Sequence, residues 1–252
     1  MNVYDTLIIG CGYGVVGYAA ANKNTMICEE HQICDTGFYL PLRTFQRTPY
    51  TPKTAEGKAL QDVFDGLDLF NGDQQNANEF EFALCKYISE KDIKVLLKCR
   101  VIGSEKCADG ILDVTVHTNA GLSHILTKQV LNSVADDLQE KRITILFTAS
   151  DYVAATDELL SAFPGASVET AFYEARRALH IPVESLGENL DENTVKLAIY
   201  QKWNTLTGNA KILYIAPVFY GKAPDTYLND GQFNNPIEAF ENGWFYAEKE
   251  AK

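Results

Sequence analysis

The most constraining stretch of this chain is its opening. Tyr4 to Ile9 is a near-continuous apolar run, the pattern of a parallel strand buried on both faces. It breaks into Gly10-Cys-Gly-Tyr-Gly-Val-Val-Gly17 and continues as Tyr18-Ala-Ala-Ala21, a good helix former. Asn22-Lys-Asn24 stops that helix, and a second short apolar run, Thr25 to Cys28, ends at Glu29-Glu30. Strand, glycine turn, helix, strand and terminal acid together form a nucleotide-binding unit. Glycines let the backbone approach a pyrophosphate, and the helix N-terminus offers free N–H groups and a favourable dipole. The acid closing the next strand can meet ribose hydroxyls; Glu29 and Glu30 lie 19 and 20 residues after Gly10, against an expected spacing of about 20. The glycine phase has two solutions. Counted from the strand end it is Gly10, Gly12 and then Val15; counted two residues later it is Gly12, Gly14 and Gly17, a full G-x-G-x-x-G.

Charge sets limits on partners. The 252 residues carry 22 Lys plus Arg against 34 Asp plus Glu, a net charge of −12, and the cations are scattered. Such a chain repels phosphate backbones and anionic lipid, so neither nucleic acid nor membrane is an expected partner. No apolar run approaches a bilayer span and no leader pattern precedes the first strand, so a soluble cytoplasmic protein is expected. Six cysteines include no Cys-x-x-Cys pair. Cys28, His31 and Cys34 stand three apart but lack a fourth ligand nearby, so no metal is expected.

Further along, residues 31–78 read as irregular. Asn78 to Glu90 has helical spacing. Ile93 to Val101, Ile111 to Thr118 and Leu122 to Val130 read as three strands joined by turns into a meander. A charged stretch, residues 136–142, marks a boundary. Beyond it the pattern predicts a strand over Ile143 to Phe147, helices over Glu169 to Leu179 and Glu192 to Trp203, and a buried strand over Lys211 to Ala216. Pro236 opens a final amphipathic helix, in the first turn, where its missing N–H costs nothing.

With these residues in view, Asp5-Thr-Leu-Ile-Ile-Gly-Cys-Gly12 resembles the opening of FAD-dependent oxidoreductases of the two-dinucleotide-binding-domain type. Phe82 to Val101 resembles that family's helix and strand leading to the adenine pocket, with Val101 at the residue whose backbone meets adenine. The strand Ile212 to Ala216 and the helix from Pro236 resemble the closing flavin-binding strand and helix. The resemblance implies an α/β fold: a Rossmann-like three-layer FAD/NAD(P)-binding domain with an antiparallel β-meander, interrupted by a small α+β lobe. The implied division is 1–135 plus 206–252 for the FAD-binding domain and 136–205 for the substrate-side lobe.

The resemblance also implies roles. FAD would be seated by Gly10, Gly12, Tyr13, Gly14, Glu29, Glu30 and Val101, and hydride would pass between a small organic substrate and the flavin. Arg43 and Arg47, four apart in a segment the family places near the flavin, are candidates to clamp a substrate carboxylate; solvated surface cations are the plainer reading. Two departures stand against it. The family's last strand runs into Gly-Asp, whereas this one ends Ile215-Ala-Pro217, leaving Asp225 or Asp230 as substitutes. The Ala-Thr-Gly segment is replaced by Asn132-Ser133. The alternative is therefore a non-catalytic or accessory protein that kept the fold, lost flavin chemistry and acts on a protein partner or a second copy of itself. No catalytic acid or base is identifiable, and His180 reads as structural.

Overall fold

The computed structural model describes residues 2–31, 33, 37–38, 41–43, 49–71, 74–76, 79–107, 109–134, 138–171, 175–188, 190–206, 208–222 and 228–250. The opening folds as its pattern predicts: β1 (Val3–Ile9), α1 (Tyr13–Ala21) and β2 (Thr25–Glu29). β1 and β2 pair in parallel, Thr6 opposite Thr25 through Ile9 opposite Cys28. A short pair, β3 (Phe70–Asn71) and β4 (Gln74–Gln75), stands apart. The first sheet has six strands in the order β5-β2-β1-β8-β7-β6, with β5 (Lys94–Leu97), β6 (Arg100–Lys106), β7 (Leu112–Thr118) and β8 (Gly121–Asn132). β8 closes the antiparallel meander on one side and pairs in parallel with β1 on the other. The expected single strand over 93–101 is two. Lys98 takes a positive φ of 53°, which breaks the run so that β5 pairs with β2 and β6 with β7.

Four helices pack with this sheet: α1, α2 (Ala55–Asp65), α3 (Phe80–Glu90) and α6 (Pro236–Glu250). Their core includes Val15, Val16, Phe64, Tyr87 and Phe240. α1 and α6 touch backbone to backbone. A Cβ on Gly17 would collide with the Phe240 carbonyl, and one on Gly243 with that of Gly14. Gly17 is thus a packing glycine, whereas Gly10, with φ of 91°, makes the turn directly after β1. α2 falls inside the stretch read as irregular. Its local signal is present: Thr54 caps it, its hydroxyl accepting from Gly57 N at 2.8 Å, and Leu60, Val63 and Phe64 form the buried face.

The second sheet runs β10 (Ser167–Thr170), β11 (Arg177–Pro182), β9 (Gln139–Ala149), β12 (Ala210–Ile215), with β13 (Tyr220–Lys222) also on β9. α4 (Tyr152–Ala162) and α5 (Glu192–Trp203) cover one face of it, and Ile145, Phe147, Leu159, Leu179, Ile199 and Trp203 share that core. Three expectations are corrected here. The helix predicted over 169–179 is instead the antiparallel pair β10 and β11. Ala, Glu and Arg favour helix locally, but pairing with β9 overrides that preference. α4 was absent from the pattern reading, although Asp151 caps it. The strand near residue 212 bonds to β9, so it extends the second sheet instead of closing the flavin-type sheet, and the return to the first unit comes later than residue 206. Among the described residues, no helix is long and apolar enough to cross a membrane.

Candidate functional site

The glycine turn is the natural place to look for an anion. α1 begins at Tyr13 with Gly12 as its N-cap, and Gly12 supplies no side-chain cap, so the first N–H groups need an acceptor from elsewhere. They find one within the chain. Asp230, in a short 3-10 turn over Asp230–Gln232 just before α6, lays its carboxylate on the helix end. Oδ2 accepts from Tyr13 N at 2.6 Å and Oδ1 from Gly14 N at 2.8 Å. Asp230 is 4% exposed, and burial pushes its carboxyl up to about 6 despite these bonds and the nearby Arg43 charge. A Cβ on Gly12 would lie 2.5 Å from Asp230 Oδ2, so the second glycine makes room for this side chain.

The acid ending β2 is also turned inward. Glu29 is 2% exposed; its Oε2 accepts from Cys11 N at 2.7 Å and its Oε1 from His31 N at 2.7 Å. Burial raises its pKa, with those bonds acting in the opposite sense. Glu30 points to solvent, 3.8 Å from Arg100 Nε. A cleft of about 580 Å³ opens beside Gly10, Glu29 and Glu30 and is bounded across from them by Lys141, Phe219 and Tyr220.

The remaining sequence candidates divide. Tyr13 offers the site its N–H only. Its ring lies edge-on to Phe38, Phe64 and Phe80 at 5.7, 5.7 and 6.0 Å, and its hydroxyl donates to Phe80 O at 2.9 Å. Val101 sits in β6 opposite Val116, in the small core of Leu7, Cys28 and Val114. Arg47 and Asp225 lie outside the described residues. Arg43 is no surface cation: it is 1% exposed. Its Nη1 donates to Gly37 O at 3.0 Å and Asp230 O at 3.2 Å, and its Nη2 donates to Phe233 O and, at 2.8 Å, to Asn234 Oδ1. Burial lowers its pKa to about 10, which still leaves it charged. Arg43 thereby ties the segment before α2 to the loop that carries Asp230.

A dinucleotide pyrophosphate does not fit this arrangement. Its oxygens would seek the N–H groups of Tyr13 and Gly14, which Asp230 already holds. Two anions in one buried cradle repel strongly. Cys11 N is likewise committed to Glu29. Asp230 was only one of two candidate acids in the sequence. Its signal is position alone, an acid six residues before the Pro that opens the last helix.

No protein-family model and no curated protein sequence matches the chain. Solved structures do. Anhydrotetracycline hydroxylase from Streptomyces rimosus aligns with a TM-score of 0.61 at 12% identity, over 99% of this chain and 63% of that one. A geranylgeranyl bacteriochlorophyll reductase-like protein from Thermoplasma acidophilum aligns at 0.60 and 13%, over 100% and 79%. Aklavinone-11 hydroxylase, solved in a ternary complex with FAD and aklavinone, aligns at 0.53 and 11%, over 100% and 63%. This chain thus spans less than two thirds of the length of each hydroxylase. At these identities the likeness is one of fold: the chain has the FAD-binding Rossmann-like α/β fold that these solved structures share.

Proposed function

We propose that this chain is a binding protein built on the fold of FAD-dependent oxidoreductases, in which the dinucleotide anion site is held by the chain's own Asp230 and flavin chemistry has been lost. The observation that carries this reading is the pair of bonds from Tyr13 N and Gly14 N to the Asp230 carboxylate. A carboxylate there satisfies the helix end and offsets its dipole as a phosphate would. The burial of Glu29 against Cys11 N points the same way, because the ribose acid is spent on the turn itself. The visible spectrum of the purified protein, followed by denaturation and identification of anything released, tests it. The expected result is a colourless protein that leaves added FAD unbound; released FAD overturns it.

The second reading is a flavin-dependent oxidoreductase of the two-dinucleotide-binding-domain type, moving hydride between a small organic substrate and flavin. The cleft beside Glu29 and the fold of the hydroxylases favour it. It requires Asp230 to leave the helix end. FAD binding by the wild type, strengthened by Asp230→Ala, would support this second reading over the first.

A further inference from the structure

The first sheet folds over on itself. β5 and β6 are its two outer strands, and the edges of an open six-stranded sheet lie roughly 24 Å apart. Yet only Lys98 and Cys99 separate Leu97, the last residue of β5, from Arg100, the first of β6. Three Cα steps span at most about 11 Å, so the meander must lie across the parallel strands. A small core fills the space between the two layers. Leu7 of β1 and Cys28 of β2 meet Val114 and Val116 of β7, Ile125 of β8, and Cys99 of the link.

Two thiols come together in this core. Cys28 is 1% and Cys99 2% exposed. Cys28 stands opposite Leu96 in the pairing of β2 with β5, and Cys99 N donates to Glu29 O at 3.0 Å, which seats Cys99 beside the end of β2. The Cys28 thiol hydrogen-bonds the Cys99 sulfur. Burial pushes both thiols up; the Cys99 charge and this bond raise Cys28 further, whereas the bond acts the opposite way on Cys99. Cys99 is therefore the first of the two to give a thiolate. A single buried cysteine is a small apolar residue. Two in hydrogen-bond contact across two layers can be joined with little backbone movement. The link that carries Cys99 is also the accessible part: Leu97, Lys98 and Arg100 face solvent, and Lys98 holds a strained φ of 53°. Local opening of such a segment lets a reagent reach the pair.

We propose that Cys28 and Cys99 are a redox-active pair, oxidised by a low-molecular-weight disulfide to an intramolecular bridge that staples the meander to the parallel strands. The Cys99 thiolate attacks one sulfur of the oxidant, expelling one small thiol and leaving a mixed disulfide. The Cys28 sulfur then attacks the Cys99 sulfur and expels the second small thiol. Two electrons pass from the protein thiols to the oxidant, and their two protons end on the small thiols. The bridge lies one residue from Glu29, the acid that holds the glycine turn, and depends on neither reading of what that turn binds.

The test incubates the folded, reduced protein with oxidised and reduced glutathione at increasing ratios. Acid quenching, alkylation in denaturant, digestion and mass spectrometry then identify the pairs. The Cys28–Cys99 bridge is expected as the main intramolecular disulfide, with the exposed Cys107 carrying glutathione instead. The bridge closes a loop of about 70 residues in the unfolded chain, so the urea midpoint should rise by on the order of 1 M. That rise should vanish on reduction, be absent in Cys99→Ala and persist in Cys107→Ala. Both thiols remaining fully alkylatable at the most oxidising ratio overturns the proposal, as does a disulfide that joins other cysteines instead. So does a Cys28–Cys99 bridge that forms only in urea-unfolded protein, or one that lowers the midpoint. If Cys99→Ala does not fold, a midpoint rise that is lost in Cys107→Ala overturns it as well.

Discussion

Among the described residues, two buried carboxylates sit at helix N-termini, and they are furnished very differently. Glu241 of α6 is 0% exposed and serves the start of α2. It accepts from Lys53 N, Thr54 N and Thr54 Oγ1, at distances from 2.6 to 3.0 Å, and from Tyr50 Oη at 2.7 Å. Asp230, at the start of α1, receives two N–H bonds and nothing more from that helix. A charge taken out of water is tolerated in proportion to the donors around it. Glu241 is a permanent joint between α6 and the segment leading into α2. Asp230 is a carboxylate filling a place that the fold shaped for another anion, and its raised pKa of about 6 records the poorer fit.

The contrast can be broken by mutation. The largest effect is expected for Glu241→Ala, about 3–5 kcal/mol of stability measured by urea unfolding, since the part-buried donors of Tyr50, Lys53 and Thr54 lose their acceptor at once and the side chain's place in the core is left empty. Next comes the pH dependence of Asp230. Its folded pKa lies above the ordinary 3.8, so between pH 4 and 6 the native state binds more protons than the unfolded state. Stability from this group therefore falls as pH rises through that window, by no more than about 3 kcal/mol. His180 slopes the other way: with its pKa lowered to about 3, it withdraws stability as pH falls below 6.5. Comparing the melting temperature of wild type and Asp230→Asn across pH 4–8 isolates the Asp230 term. A difference that does not change with pH would remove the contrast. Asp230→Ala at pH 7 should cost less than Glu241→Ala, about 1–2 kcal/mol, because the charging penalty goes with the charge. In that variant inorganic phosphate should raise the melting temperature, as it should not in the wild type. Tyr50→Phe, deleting one of the Glu241 bonds, should cost about 1 kcal/mol and sharpen the estimate of what each donor contributes.

The same contrast explains what could be read from the residues alone. The apolar run at Tyr4, the glycines and the acids at Glu29 and Glu30 are local signals, and they folded as a unit. The meander was legible because its turns are marked by Gly110 and Gly121, both with positive φ. The Asp230 bond to Gly14 spans 216 residues, and no local pattern records such a pairing. Arg43 was misread for a related reason: an Arg among acids looks solvated until the backbone carbonyls that enclose it are known. The helix predicted over 169–179 failed because its strands are held by β9, a neighbour distant in sequence. α2 is a different case, since Thr54 and the spacing of Leu60, Val63 and Phe64 were available and outweighed by the prolines before them.

The close crossing of α1 and α6 also sets an order of events during synthesis. The N–H groups of Tyr13 and Gly14 leave the ribosome long before the residue that will satisfy them. At about 5–20 residues per second, the interval is on the order of ten seconds or more. Throughout it, those N–H groups are without the carboxylate that will hold them, and a helix of this length has little stability alone. Only when α6 docks, glycine against backbone, does the chain's own Asp230 reach them.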